Sequence, residues 1–238
     1  MEIYTVKKPL VQMPQKVWDK MLYWARKAAP KEIAGYGVIA ETFGKGDMIK
    51  SILVKDIILS GQDVSSGHAE LSVEGMAEAM KRTDAMGIPP EDVRSHWHSH
   101  HTMGKFWSPV DDNLMEQFAD GCNVLCLVTI IDGSLPRACY VVGKAPSADV
   151  VWLPEGQGRR IYIWQGGKLT KLKYDKDSWI FQEGLVKFDE LPIELIAEEA
   201  DKTTWDQEFE GKIAAPTSSD RRSGWARDTD EASADGEE

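Results

Sequence analysis

The sequence predicts an α/β fold: a single domain with a mixed, curved β-sheet flanked by helices, followed by a C-terminal extension. Three observations predict it. Helix-like segments alternate with strand-like apolar runs in the order helix, two strands, helix, strand, helix, two strands. Gly and Pro punctuate nearly every junction between them. The chain has 238 residues and 42% hydrophobic content, enough for one packed domain plus extensions.

Each element has its own signal. Residues 14–29 read as an amphipathic helix, with Val17, Met21, Leu22, Ala25 and Ala28 on one face and Pro30 ending it. Residues 34–43 and 48–59 read as strands joined across Gly44-Lys45-Gly46. A helix is expected over residues 73–86, closed by Gly87 and Pro89-Pro90. Residues 93–98 look like a strand running into a loop, and a further helix starts at Ser108-Pro109-Val110-Asp111, with Leu114, Met115 and Phe118 as its apolar stripe. Residues 124–131 and 135–142 form a hairpin across Asp132-Gly133-Ser134. Beyond this unit (residues 10–145) lies an extension, residues 146–200. In it, residues 161–164 and 168–174 read as one more hairpin, its second arm a lysine-bearing edge strand, and residues 191–200 as a short helix.

Composition narrows the functions. Net charge is −11 and the sequence pI is about 5.0, which argues against nucleic-acid binding through a basic surface. No apolar run approaches the length of a transmembrane helix, so no membrane role is expected. Cys122, Cys126 and Cys139 form no C-x-x-C pair and fall in or beside apolar stretches. They read as reduced, buried packing residues of a cytoplasmic protein with no signal peptide. Residues 201–238 carry eleven acids and five bases and read as an acidic, disordered tail. Trp205 and Trp225 stand out there as anchors for a partner protein that the tail would dock.

The chemistry is concentrated in one place. Four of the five histidines lie between His96 and His101, and the segment that follows spells H-x-H-x7-S-x2-D through His98, His100, Ser108 and Asp111. Side chains alternate along a strand, so His98 and His100 point the same way and can converge on one ion. Asp111 adds a carboxylate oxygen. Three protein ligands of this kind leave a fourth tetrahedral position open, the mark of a catalytic zinc site (Zn2+) rather than a structural one. Zinc lowers the pKa of a bound water from about 15.7 to roughly 7. Two alternatives stand beside this reading. Ser108 and Asp111 also make a plain helix cap, and His96 with His98 forms a second His-x-His pair. The x7-Ser spacing selects His98 with His100. His68 stands alone and reads as structural.

This segment resembles the signature of the JAB/MPN (JAMM) metalloprotease family, whose best-known members are zinc deubiquitinases. The resemblance covers roughly residues 10–143. The family pairs its motif with an upstream glutamate in an E-x-x-G context, and Glu32-Ile33-Ala34-Gly35 supplies one. The resemblance implies a cytidine-deaminase-like layout with zinc at one end of the sheet. It implies Glu32 as general base, Ser108 as oxyanion stabiliser, and His98, His100 and Asp111 as metal ligands. The substrate implied is a peptide or isopeptide bond, with the C-terminal tail of a ubiquitin-like protein as a candidate. The chain departs from the family where His101 replaces the proline that often follows the second motif histidine, and where residues 102–106 form a loop of its own. Two other functions compete: a non-catalytic, zinc-retaining assembly module, and a hydrolase of small amides or cell-wall peptides, for instance within a phage tail.

Overall fold

A computed structural model describes residues 2–44, 49–101, 103–143, 150–154, 161–165, 168–175, 178–183 and 186–214. Strands β1 (Glu2–Val6) and β2 (Leu10–Pro14) precede helix α1 (Gln15–Ala28). Then come β3 (Ala34–Phe43), β4 (Ile49–Leu59), β5 (Gln62–Ser65), β6 (His68–Leu71) and α2 (Val73–Ala85). The motif segment supplies β7 (Ser95–His100) and α3 (Pro109–Phe118), followed by β8 (Asn123–Ile130) and β9 (Arg137–Val142). The C-terminal third adds β10 (Val150–Pro154), β11 (Ile161–Gln165), β12 (Lys168–Asp175), β13 (Ser178–Glu183), β14 (Val186–Asp189) and β15 (Ile193–Ile196). Helix α4 (Trp205–Phe209) and β16 (Ile213–Ala214) close the described chain.

The main sheet has eight strands in the order β14-β9-β8-β7-β3-β4-β2-β15. It is mixed: β7 runs parallel to β8 and antiparallel to β3. Register shifts between Val38 and Ile39 and between Thr42 and Phe43 bend the β3–β4 ladder, as bulges do. The expected mixed, curved sheet flanked by helices is therefore the fold.

The two faces of β7 divide the molecule. Trp97 faces α1 and stacks on Trp24 with ring centroids 6.1 Å apart, within the largest apolar core. That core takes Val17, Trp18, Met21, Trp24 and Ala28 from α1, so the helix forms because its apolar positions all meet the sheet. The opposite face carries His96, Cys126 and Cys139, covered by Met115 and Ala119 at the α3 end. Cys126 and Cys139 are buried free thiols, as expected, and burial pushes the Cys139 thiol up to about 12. Among the described residues, no helix is long and apolar enough to cross a membrane.

Several expectations need correction. Residues 193–196 form a strand, not part of a helix: β15 adds to β2 in parallel, and its side chains alternate half-buried and exposed. That two-residue period decides the conformation once β2 offers a free edge. The hairpin of β11 and β12 is present, but β12 is not an edge strand. The Ser-Trp-Ile-Phe run of β13 takes the outer position, in a separate five-stranded sheet ordered β1-β10-β11-β12-β13. The first third of the acidic tail is also ordered. Trp205 is only 5% exposed and belongs to its own chain's core rather than to a partner. Its carbonyl accepts the Trp24 indole N–H at 3.0 Å. Glu208 lies 3.0 Å from Lys20 and 2.8 Å from Arg82, so part of the acidity counted in the tail is neutralised by bases of α1 and α2. The 44–46 turn, in part, and Trp225 with residues 215–238 lie outside the described residues.

Candidate metal centre

The sheet builds the site by register. Ala34 of β3 stands opposite His98 of β7, so the residues just before β3 reach the histidine end of β7. Gly35 is required there. A Cβ at that position would sit 2.2 Å from the Ile58 carbonyl oxygen and 2.8 Å from Trp97 Nε1, a clash no flexible side chain could relieve. This gives a physical reason for the glycine of the Glu32-x-x-Gly35 pattern.

His98 and His100 lie on one strand, two residues apart, and both are buried. Their Nε2 atoms are 3.1 Å apart, and His98 Nε2 is 3.6 Å from Asp111 Oδ1. One ligand atom from each of the three residues lies within 4.8 Å of the others. Zinc bonds of about 2.0–2.1 Å at tetrahedral angles put ligand atoms roughly 3.4 Å apart, close to the two short separations. His96 is not one of this trio. Its ring packs between His98, at 5.9 Å, and Phe118, at 5.7 Å, and so backs the site rather than entering it.

The protonation states suit a cation. His100 Nδ1 lies 2.7 Å from the Gly104 carbonyl, which can only accept. Nδ1 therefore carries the hydrogen, and in the neutral ring Nε2 is left with a bare lone pair facing His98 and Asp111. Burial, reinforced by the His100 charge, pushes His98 down to about 3. Burial pushes His96 to about 3 as well. At neutral pH both are uncharged imidazoles, the form that binds metals. The donor set of two imidazole nitrogens and one carboxylate oxygen thus fits zinc in type and in its two short separations.

Asp111 caps its helix and still has an oxygen to offer a cation. Its Oδ2 accepts the Ser108 backbone N–H at 2.7 Å, while the Ser108 hydroxyl accepts the Asp111 N–H at 3.2 Å. This is a capping box, and Pro109 follows at the first helical position. The helix-cap and metal-ligand readings therefore hold together, because Oδ1 remains free to face His98.

Glu32 lies in the α1–β3 connection and is 6% exposed, and its Oε1 is buried without a hydrogen-bond partner. Burial raises its pKa. A positive His100 and His68 would counter that, while Asp111 adds to it. His68, expected to be structural, is instead mostly exposed on β6, 3.5 Å from Glu70. It stands opposite Ser65, whose carbonyl accepts the Glu32 N–H at 2.8 Å.

Sequence reasoning missed the supports around these residues. The 103–108 loop is pinned by Lys105 Nζ on Ser134 Oγ (2.7 Å) and on the Leu135 carbonyl (2.6 Å). Arg137, ion-paired with Asp189, donates to the Lys105 carbonyl at 3.1 Å, and Trp107 donates to Asp189 at 3.0 Å. Phe106 lies 4.8 Å from the His100 ring. Apart from Phe106 with His100, these pairs are far apart in sequence, and no spacing rule marks them.

Residues 14–152 match the family described as prokaryotic homologs of the JAB domain. No curated protein matches the chain. Among solved structures, the solution structure of protein DSY2949 from Desulfitobacterium hafniense is similar at 17% identity and a TM-score of 0.39. That likeness covers 79% of this chain and 94% of the other.

Proposed function

The chain belongs to the family of prokaryotic homologs of the JAB domain, and on that premise we propose that it is a zinc-dependent metallopeptidase hydrolysing a peptide or isopeptide bond. His98, His100 and Asp111 would hold the ion. When bound, zinc supplies Lewis acidity to the scissile carbonyl and makes water a competent nucleophile near neutral pH. Glu32 accepts the proton of the attacking water as the new C–O bond forms, and gives it to the amine as the C–N bond breaks. The Ser108 hydroxyl oxygen accepts from Asp111, which leaves its own hydrogen free to donate to the oxyanion. The proposed substrate is an extended tail, including that of a ubiquitin-like protein.

The observation that carries this reading is the buried, unpartnered Oε1 of Glu32, on a carboxyl close enough to His100 and Asp111 of the proposed ligand trio to feel their charges. A carboxylate taken out of water without a partner costs free energy that a scaffold has no reason to bear. A zinc-retaining assembly module needs the three ligands but not this acid. The test is cleavage of a panel of ubiquitin-like fusions, peptides and small amides by zinc-loaded protein, with and without a chelator. Chelator-sensitive cleavage that Glu32→Gln abolishes is expected. No cleavage of any panel member by a stoichiometrically loaded protein would favour the assembly module.

A further inference from the structure

Gln62 opens β5, is 3% exposed, and uses its whole carboxamide on backbone. Oε1 accepts the Ala34 N–H at 2.7 Å, and Nε2 donates to the carbonyls of Ala34 (2.8 Å) and Ser60 (2.9 Å). The reason lies in the sheet. The β3–β4 ladder starts at Gly35 opposite Leu59, so Ala34 stands one residue beyond it. A primary amide offers one acceptor and two donors and can take the place of the missing strand. The same short strand holds Glu32, whose N–H donates to the Ser65 carbonyl at 2.8 Å. From the other side, Ser99 brackets Ile33: its Oγ accepts the Ile33 N–H at 3.1 Å and its N–H donates to the Ile33 carbonyl at 2.8 Å. All three amides of Glu32-Ile33-Ala34 are thus held, by the Ser65 carbonyl of β5 and by the Ser99 and Gln62 side chains. Gln62 is itself held by its backbone N–H, which donates to the Lys212 carbonyl at 2.9 Å where β16 pairs with β5.

We infer that Gln62 is the positioning residue for Glu32: its carboxamide fixes the backbone from which the Glu32 carboxylate reaches the metal centre, and the Lys212–Ala214 segment holds Gln62 in turn. Glu32 Oε1 has no hydrogen bond of its own, so its direction is set by its backbone and packing. The inference rests on the proposed role of Glu32. It gives the C-terminal segment a part in the site that neither the metal-ligand spacing nor the E-x-x-G pattern contains.

The test uses the full chain, zinc-loaded for hydrogen exchange and cobalt-loaded for visible absorption across pH. In Gln62→Met, similar in length but without the amide, exchange at Glu32 and Ala34 should rise about tenfold or more, as expected for losing the three buried hydrogen bonds of the carboxamide, while β8 amides stay protected. Metal stoichiometry should be unchanged. The pH profile of the cobalt spectrum should move in the direction that Glu32→Gln moves it. Gln62→Glu, which restores only the acceptor for Ala34, should move the profile the same way by less, and it carries the test if Gln62→Met does not fold. A wild-type cobalt profile in the Gln62 variants, with a shifted one in Glu32→Gln, would overturn the inference and leave Gln62 a structural residue. An unshifted profile in Glu32→Gln would instead overturn the reading of Glu32 itself, a separate and distinguishable failure.

Discussion

Ser108 and Asp111 hold each other by two reciprocal hydrogen bonds, at 2.7 and 3.2 Å, and this box turns the remaining Asp111 oxygen toward His98, 3.6 Å away. The bonds that start the helix also place the proposed ligand atom. The first turn of α3 is rigid because it is capped, and a rigid turn can aim a carboxylate.

Removing the Ser108 hydroxyl should therefore separate chemistry from metal binding. Ser108→Ala should keep one zinc per chain and lower kcat by about 10²–10³, the scale of an oxyanion donor. Loss of the cap should cost about 1 kcal/mol in urea unfolding. An unchanged kcat would remove Ser108 from the reaction.

Asp111→Asn should do the reverse. The amide oxygen can still accept the Ser108 N–H, so the metal-free protein should unfold within about 1 kcal/mol of wild type. The ligand charge is gone, and zinc affinity, measured by competition with a chromophoric chelator, should fall by at least about 10–100-fold. Full affinity in this variant would place the third ligand elsewhere.

Glu32 makes a prediction about pH. Burial raises its pKa in the folded chain above the ordinary 4.5, so between 4.5 and the raised value the folded state binds more protons than the unfolded one. Stability contributed by this group falls as pH rises through that window, then stays level. In metal-free protein, Glu32→Gln should therefore gain on wild type as pH rises above 4.5, read as the difference in urea midpoint. A difference that does not change with pH would mean that Glu32 is solvated.

Trp205 tests the packed end of the chain. Its ring is buried against α1, tilted 5.6 Å from Tyr23. Trp205→Ala should lose about 3–5 kcal/mol, as large-to-small changes at buried aromatics do. A loss under about 1 kcal/mol, the usual range for a surface substitution, would show that α4 docks without consequence.

Much of the centre was legible because its information is local. His98, His100, Ser108 and Asp111 fall within fourteen residues, and the strand period and helix-cap rules convert that spacing into a trio of two imidazoles and a carboxylate. Strands β3 and β4 and helix α1 were legible for the same reason, each having one clean apolar period. What was hidden is long-range. The short β5 and β6 have too few residues to show a period, and Gln62 acts through partners 28 residues upstream. Counting charge over residues 201–238 concealed Phe209 and Ile213 and left Trp205 to a partner, whereas all three pack α4 and β16 onto the chain's own core. In β15, four residues fit a helix turn as well as a strand until β2 is there to pair with them.

In the proposed centre, His98, His100 and Asp111 grip a single zinc ion. Elemental analysis of dialysed full-length protein, run beside His100→Ala, tests it most directly. One zinc per wild-type chain and none in the variant is the predicted result; no stoichiometric metal in wild type, or equal metal in both, would contradict it.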